Sequence, residues 1–235
     1  MHTLFISDIH LSCADEEIRR CFLKFLTASV KQTNALYILG DLFEIWIGDD
    51  DTSSWVKEIQ QALCQVSARG IKIYLMQGNR DFLLGKKWAA ACGAVLLKDP
   101  FVVDLYGTPT LLTHGDLLCT EDIQYQKWRR FVHQKFIQKL FLSLPLRWRQ
   151  RIADKLRNKS REYTQNLSSE KMDVTLSFLE KWIARYQVTQ IIHGHTHRPA
   201  LHKTETYTRY VLPAWHPKGG MVIAKPHSPP ELVIF

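Results

Sequence analysis

Five times along this chain a short apolar run stops at a cluster of carboxylate, amide or imidazole residues, and that recurrence limits the folds open to it. TLFIS leads into Asp8-Ile9-His10, ALYIL into Gly40-Asp41, and IKIYLM into Gly78-Asn79-Arg80-Asp81. TLLT leads into His114-Gly115-Asp116, and the run Val188–Ile192 into Gly194-His195-Thr196-His197. Between the first three runs lie stretches of helical period, with Ile18, Cys21, Phe22, Phe25, Leu26 and Val30 on one face and Val56, Ile59, Leu63 and Val66 on another. Strands alternating with helices make βαβ units around a largely parallel sheet, whose ligand site lies outside the carboxyl ends of the strands. The five clusters are therefore expected to converge.

The rest of the chain changes character twice. Two strand-like runs flank Gly107 in FVVDLYGTPTLLTH and predict a hairpin. Residues 121–186 are helical in pattern, with Met172, Leu176, Leu179 and Ile183 on one stripe, and strands return at Val188–Ile192, Arg209–Leu212, Met221–Ala224 and Leu232–Phe235. There is no internal repeat and no linker-like composition. A single α/β domain over 1–235 with a helical insert at 121–165 is expected.

Each cluster alone is weak. A D-x-H triplet arises often by chance, and of the ten histidines His2, His133, His202 and His227 are expected to be packed or solvated only. Gly40 and Gly78 alone would read as turn glycines. Five clusters at strand ends make a joint signal, with Asp8, His10, Asp41, Asn79, His114, His195 and His197 as metal ligands. Mixed carboxylate and imidazole donors suit Mn²⁺, Fe and Zn²⁺, whereas all-oxygen sets suit Mg²⁺ and Ca²⁺. Seven donors exceed what one ion takes. Two ions sharing a carboxylate need about this number, and Asp41 is the natural bridge.

The order D-x-H, G-D, G-N, H, G-H-x-H resembles that of the calcineurin-like metallophosphoesterases from Asp8 to His197. The resemblance implies a four-layered α/β/β/α fold and a dinuclear site. Asp8, His10, Asp41 and His197 would hold one ion, and Asp41, Asn79, His114 and His195 the other. Arg80 stands where most of that superfamily has a histidine that helps the leaving group. The stretches ILGDLFEIWIGDDD (38–51), GNRDFLLGK (78–86), LTHGDLLCTED (112–122), IIHGHTHRPA (191–200) and LPAWH (212–216) explain the arginine, because they resemble the UDP-2,3-diacylglucosamine pyrophosphatase family. That closer resemblance implies hydrolysis of a lipid-linked pyrophosphate in lipid A biosynthesis to UMP and 2,3-diacylglucosamine 1-phosphate, with two Mn²⁺ ions. It implies catalytic roles for Asp41, Asn79, Arg80 and His114, and substrate contacts at Asn79, Arg80, Asp122, Ser160 and His195. Where the family has an Asn and a Lys further along the insert, this chain has Thr164 and Leu167, with Lys171 as a candidate replacement.

The chemistry agrees. Arg80 is always charged and fork-shaped, so it binds a pyrophosphate bidentately but cannot act as a general acid. A phosphate leaving group needs no proton.

Net charge is +8, but Lys127–Arg161 holds twelve Lys or Arg against one acid, Asp154, so that window carries 12 − 1 = +11 and the remainder 8 − 11 = −3. The basicity belongs to the insert. There Ile137, Leu140, Phe141 and Leu144 share a helical face beside Phe136, with Lys135, Lys139, Arg147, Arg149 and Arg151 around them and Trp128 and Trp148 nearby. A basic amphipathic surface fits an anionic membrane, and the insert is too aliphatic for a nucleic-acid groove. With the diacylated substrate that the resemblance implies, the insert is expected to receive acyl chains and to hold the protein at the cytoplasmic face of the bacterial inner membrane. No apolar run reaches the roughly 18–20 residues of a transmembrane helix, and cleavage of a signal peptide would remove Asp8 and His10. Five dispersed cysteines are expected to be reduced thiols.

Overall fold

The structure is a computed structural model that describes residues 2–28, 30, 32–165, 173–216 and 219–235. Of the positions singled out above, Leu167, Lys171 and Met172 lie outside the described residues. Two sheets stack face to face. The first has the order β11-β10-β1-β2-β3-β4, built from β1 (His2–Ile6), β2 (Thr33–Leu39), β3 (Lys72–Met76), β4 (Ala94–Leu97), β10 (Gly220–Ala224) and β11 (Glu231–Ile234). The second has the order β5-β6-β7-β9-β8, from β5 (Phe101–Leu105), β6 (Thr108–Thr113), β7 (Gln190–His193), β8 (Ala200–Lys203) and β9 (Thr208–Val211). β1 to β4 are parallel, as are β6, β7 and β9, while β10, β11, β5 and β8 add antiparallel edges.

Strand alternation sorts the core into layers. Phe5, Tyr37, Leu39 and Met76 point between the sheets and meet Leu112, Ile192, Tyr210 and Leu212 from the second sheet. Leu4, Ile6, Leu36, Ile38, Ile73 and Leu75 point the other way, under α1 (Glu16–Ala28), α2 (Ser54–Ala68) and α3 (Lys86–Ala91). On the far side Leu111 and Ile191 pack under Leu179, Trp182 and Ile183 of α7 (Leu176–Tyr186). The result is the α/β/β/α sandwich expected from the sequence. The four-residue strand β4, the helix α3 and the strand β8 lay outside the sequence reading. α3 has only six residues, too few to show a period, and β8 has three of its four residues exposed, so it lacks an apolar alternation. All five cysteines are free thiols.

Between β6 and α7 the chain forms α4 (Ile123–Val132), α5 (Lys135–Leu142) and α6 (Leu146–Gln165). α5 buries none of its residues, and Phe136 is 74% exposed, Leu140 56% and Trp148 60%. Three arginines tie these helices to the sandwich. Arg129 Nε donates to Asp116 Oδ2 at 2.5 Å, and Arg157 Nη2 lies 2.6 Å from Glu44 Oε1. Arg149 corrects the expectation that it belongs to the outward basic rim. Its guanidinium is buried, pairs with Asp50 and donates to Ile47 O at 2.6 Å and Leu144 O at 2.9 Å. A fork of fixed donors satisfies two carbonyls and a carboxylate at once, which makes it a fastener between α6 and the loop after β2.

Candidate metal centre

All five strand-end clusters meet at one edge of the two sheets. Asp8 and Asp41 each follow their strand by two residues, and backbone bonds from Asp8 N to Gly40 O (3.2 Å) and His10 N to Asp41 O (3.0 Å) hold those loops together. Gly194 N donates to His114 O at 2.8 Å and brings in the second sheet. The turns are sharp. Asp8, His10, Asp41, His195 and His197 all have φ between 51° and 68°, the left-handed region. For residues with a Cβ that region is sparsely populated, and such conformations cluster at functional sites.

The flanking glycines do more than turn the chain. A Cβ on Gly40 would stand 2.6 Å from His114 Nδ1 and 2.7 Å from Gly78 Cα, one on Gly78 would strike the Asp41 carboxylate, and one on Gly194 would strike Asp8. The ligand loops are packed backbone against side chain.

The side chains converge without neutralising one another. His10 Nε2 and His197 Nε2 lie 3.3 Å apart, and Asp8 Oδ1 is 3.3 Å from His197 Nε2. Asn79 Oδ1 lies 2.8 Å from both His114 Nε2 and His195 Nδ1, while Asp41 Oδ2 is 3.7 Å from His114 Nε2 and 3.9 Å from His10 Nε2. Two sets of donor atoms fall within 4.8 Å of one another: Asp8, His10 and His197, and Asp8, Asp41 and His114. Asp8 is common to both, so it sits centrally alongside Asp41.

The electrostatics fit divalent cations. Asp8 Oδ1 is buried and faces the His197 ring at 3.3 Å without a well-formed hydrogen bond, a costly state for an ionised oxygen unless a cation meets it. Burial opposes charge on His114, yet the negative field of Asp41, Asp8 and Asp116 pushes it up to about 9. Burial likewise disfavours ionised Asp8, but His197 together with the His114 and His10 rings holds it well below the carboxylate range. His195, driven down to about 3 by burial and by His114, stays neutral and presents a lone pair. A buried acidic field ringed by imidazole lone pairs is the donor set that borderline divalent ions take.

Outer contacts orient these groups. His114 Nδ1 donates to Leu39 O at 2.9 Å, which leaves Nε2 for a metal, and His10 Nδ1 faces Glu44 Oε2 at 2.9 Å. Burial would raise Glu44, but His10, Arg80 and Arg157 hold it at about 2. Asp81 accepts from the backbone N–H groups of Asp41, Leu42, Phe43 and Gly78 at 2.7–3.3 Å and so stitches the Gly40 loop to the Gly78 loop. Asp116 accepts from Tyr125 Oη and Arg129 Nε, both at 2.5 Å. Sequence reasoning assigned none of Glu44, Asp81 and Asp116 a role. Their signal was position, since each stands inside a motif already singled out.

Beside the cluster opens a cavity of about 750 Å³ whose lining includes His10, His197, Glu44, Arg80, Arg157 and Arg161. Arg157 and Arg161 are one turn apart on α6 and share a face with Ser160 beside them. In the sequence they counted only as charge. Asp122 and Ser160 are not among the residues lining this cavity. Asp122 caps α4 by accepting from Tyr125 N at 2.9 Å, and it also accepts from Tyr163 Oη at 2.8 Å. That ties the start of α4 to the end of α6. His133, expected to be merely packed, lies against Phe82 with ring centroids 5.3 Å apart.

Residues 1–199 match the family model described as calcineurin-like phosphoesterase. The chain is 48% identical to a UDP-2,3-diacylglucosamine hydrolase of Serratia proteamaculans over 94% of each chain. It is 44% identical to a UDP-2,3-diacylglucosamine hydrolase of Photobacterium profundum, over 96% of this chain and 94% of the other. A solved archaeal phosphodiesterase aligns over 100% of both chains with 12% identity and a TM-score of 0.49.

Proposed function

Because this chain belongs to the calcineurin-like phosphoesterase family and, within it, to the UDP-2,3-diacylglucosamine hydrolases, we propose that it cleaves the pyrophosphate of UDP-2,3-diacylglucosamine to UMP and 2,3-diacylglucosamine 1-phosphate. The observation that carries this reading is one cavity combining a buried carboxylate–imidazole cluster with Arg80, Arg157 and Arg161. Asp8, His10, Asp41 and His197 would hold one ion, and Asp41, Asn79, His114 and His195 a second, with Mn²⁺ the expected metal. Such ions supply Lewis acidity and a water nucleophile ionised at neutral pH.

The chain's own groups do the rest. Three guanidinium groups neutralise and orient the diphosphate, Arg80 by its two-pronged geometry. Arg80 cannot give up a proton, and the departing lipid phosphate requires none. Asn79 and the neutral His195 keep their donor atoms fixed on each other and on His114, so the floor does not rearrange during the reaction. Glu44 and Leu39 O fix the rings of His10 and His114.

The helices α4 to α6 form a lid that takes the acyl chains and rests on the cytoplasmic face of the inner membrane. Supporting this are the exposed Phe136, Leu140 and Trp148, which leave apolar surface in water that burial against acyl chains would remove. No described helix is long and apolar enough to cross a membrane.

Turnover of UDP-2,3-diacylglucosamine, UDP-N-acetylglucosamine and bis-p-nitrophenyl phosphate by Mn²⁺-loaded protein tests the reading. Strong preference for the first is expected, and equal rates on all three would refute it. In ¹⁸O-water the label should appear in UMP. Label in the lipid phosphate would place attack at the other phosphorus.

A further inference from the structure

The cavity beside the metal ligands has two sides, and the reading above occupies only one. Toward α6 it is lined by Arg157 and Arg161, and Arg80 stands by the ligands. Away from the insert its wall is Ser12, Ala14, Asp15, Pro199, Pro213, Ala214 and His216. If the insert receives the acylated sugar, the group on the other end of the diphosphate must leave the metal centre in the opposite direction. We propose that this far wall, centred on Asp15 and His216, is the nucleoside subsite and that it binds the ribose of UMP. The proposal rests on the pyrophosphatase reading and extends it.

The wall is built rather than incidental. Asp15 uses Oδ1 to accept from Ile18 N at 3.0 Å, which caps α1, and turns Oδ2 to His216 Nε2 at 3.1 Å. Arg19 Nη1 donates to the carbonyls of Ser12 (2.6 Å) and Cys13 (2.7 Å), fixing the loop that leads from His10. Across from it, Trp215 N donates to Asp8 O at 3.1 Å, so the Pro213–His216 segment is anchored directly to a ligand loop. Both flanks are thus tied by hydrogen bonds to the loops of the candidate ligands. The side chains between them, Ser12, Ala14, Pro213 and Ala214, are small and leave the space open.

The polar groups suit a sugar. In the neutral tautomer that gives Nε2–H to Asp15, His216 presents Nδ1 as an acceptor, beside the lone pairs remaining on the Asp15 carboxylate. Two adjacent acceptors match a vicinal diol, and a carboxylate accepting from ribose hydroxyls is a recurrent solution in nucleotide sites. Pro199 and Pro213 add apolar lining to the same side of the cavity. Among the described residues of this wall the only imidazole, His216, lies against Asp15.

Binding of UMP to the Mn²⁺-loaded full chain, read by calorimetry, tests this without turnover. Asp15→Asn keeps the helix cap and replaces one acceptor by a donor, and His216→Ala removes the other acceptor. Each should weaken UMP about tenfold, as loss of one hydrogen bond to a charged or oriented acceptor does, and leave inorganic phosphate affinity unchanged. The 2′,3′-dideoxy analogue should bind all three proteins with the same weakened affinity. UMP affinity unchanged in both variants, or phosphate affinity falling in step with it, would overturn the proposal. Should the wild-type protein bind UMP as described yet fail to cleave UDP-2,3-diacylglucosamine, the parent reading falls and the nucleoside subsite stands.

Discussion

The metal floor and the helical insert are organised by opposite rules. The floor is made of short backbone turns that gather carboxylates and imidazoles into close donor sets, and Gly40, Gly78 and Gly194 leave no room there for a methyl group. The insert is made of helices that leave no residue of α5 fully buried and Phe136 and Leu140 outside, held to the sandwich by Arg129, Arg149 and Arg157 together with the Tyr125–Asp116 bond and the His133–Phe82 ring contact. A floor of that kind cannot adapt, which suits chemistry. The insert's exposed apolar side chains are what the proposed role in receiving acyl chains draws on.

That contrast is sharpest at the ligands. Stripping divalent ions with EDTA should abolish turnover, with Mn²⁺ restoring it best, and full activity in the stripped protein would end the metal reading. Asp41→Ala should cost more than the roughly hundredfold that loss of an outer partner brings. A mild effect, measured as kcat/KM, would shift the central role to Asp8, which belongs to both close donor sets. Next comes Glu44→Gln, which keeps the shape of the contact with His10 and removes its charge. A loss of about 10–100-fold in Mn²⁺ affinity is expected, and no loss would make the contact with Arg157 its only purpose.

Arg149 tests whether fasteners or packing hold the insert. Arg149→Ala strands Ile47 O and Leu144 O and should destabilise the insert by about 1–3 kcal/mol, seen as faster proteolysis within α5 and α6 before any change in the sandwich. Unchanged proteolysis would mean that apolar packing suffices. The smallest effect is expected at the surface. Arg147→Glu with Arg151→Glu should weaken binding to anionic vesicles by about 1 kcal/mol per position, counting the charge removed, while hydrolysis of a short-chain, micelle-dispersed analogue stays the same. Vesicle binding that ignores the double substitution would leave the insert as a solvated face.

The same contrast explains what the sequence made visible. The sandwich and its ligand loops were legible because strand, turn and ligand are adjacent along the chain, so period and motif coincide within a few residues. Glu44, Asp81 and Asp116 escaped because their role depends on what lies across the fold: a carboxylate in a motif reads the same whether it faces a metal, a backbone loop or an arginine. The insert suffered more. Its charge and amphipathicity were plain, but direction was not, and Arg149, Arg157 and Arg161 look alike in sequence. One is buried in a fastener and two line the cavity. Asp122, singled out for substrate, also caps the start of α4, a contact that its place in the motif did not announce.

The left-handed turns at Asp8, His10, Asp41, His195 and His197 have a consequence for how this site can drift. Among residues with a side chain, that backbone region is tolerated best by Asn, Asp and His, and these are also the residues that offer oxygen or nitrogen donors to a metal. Mutation at these positions is therefore screened twice against the same short alphabet. Cysteine or glutamate would keep a donor atom but meet the backbone penalty, and glycine would relieve the backbone but lose the donor. Descendants of this chain that exchange one metal preference for another have few spellings open to them, and should travel mainly among Asp, Asn and His.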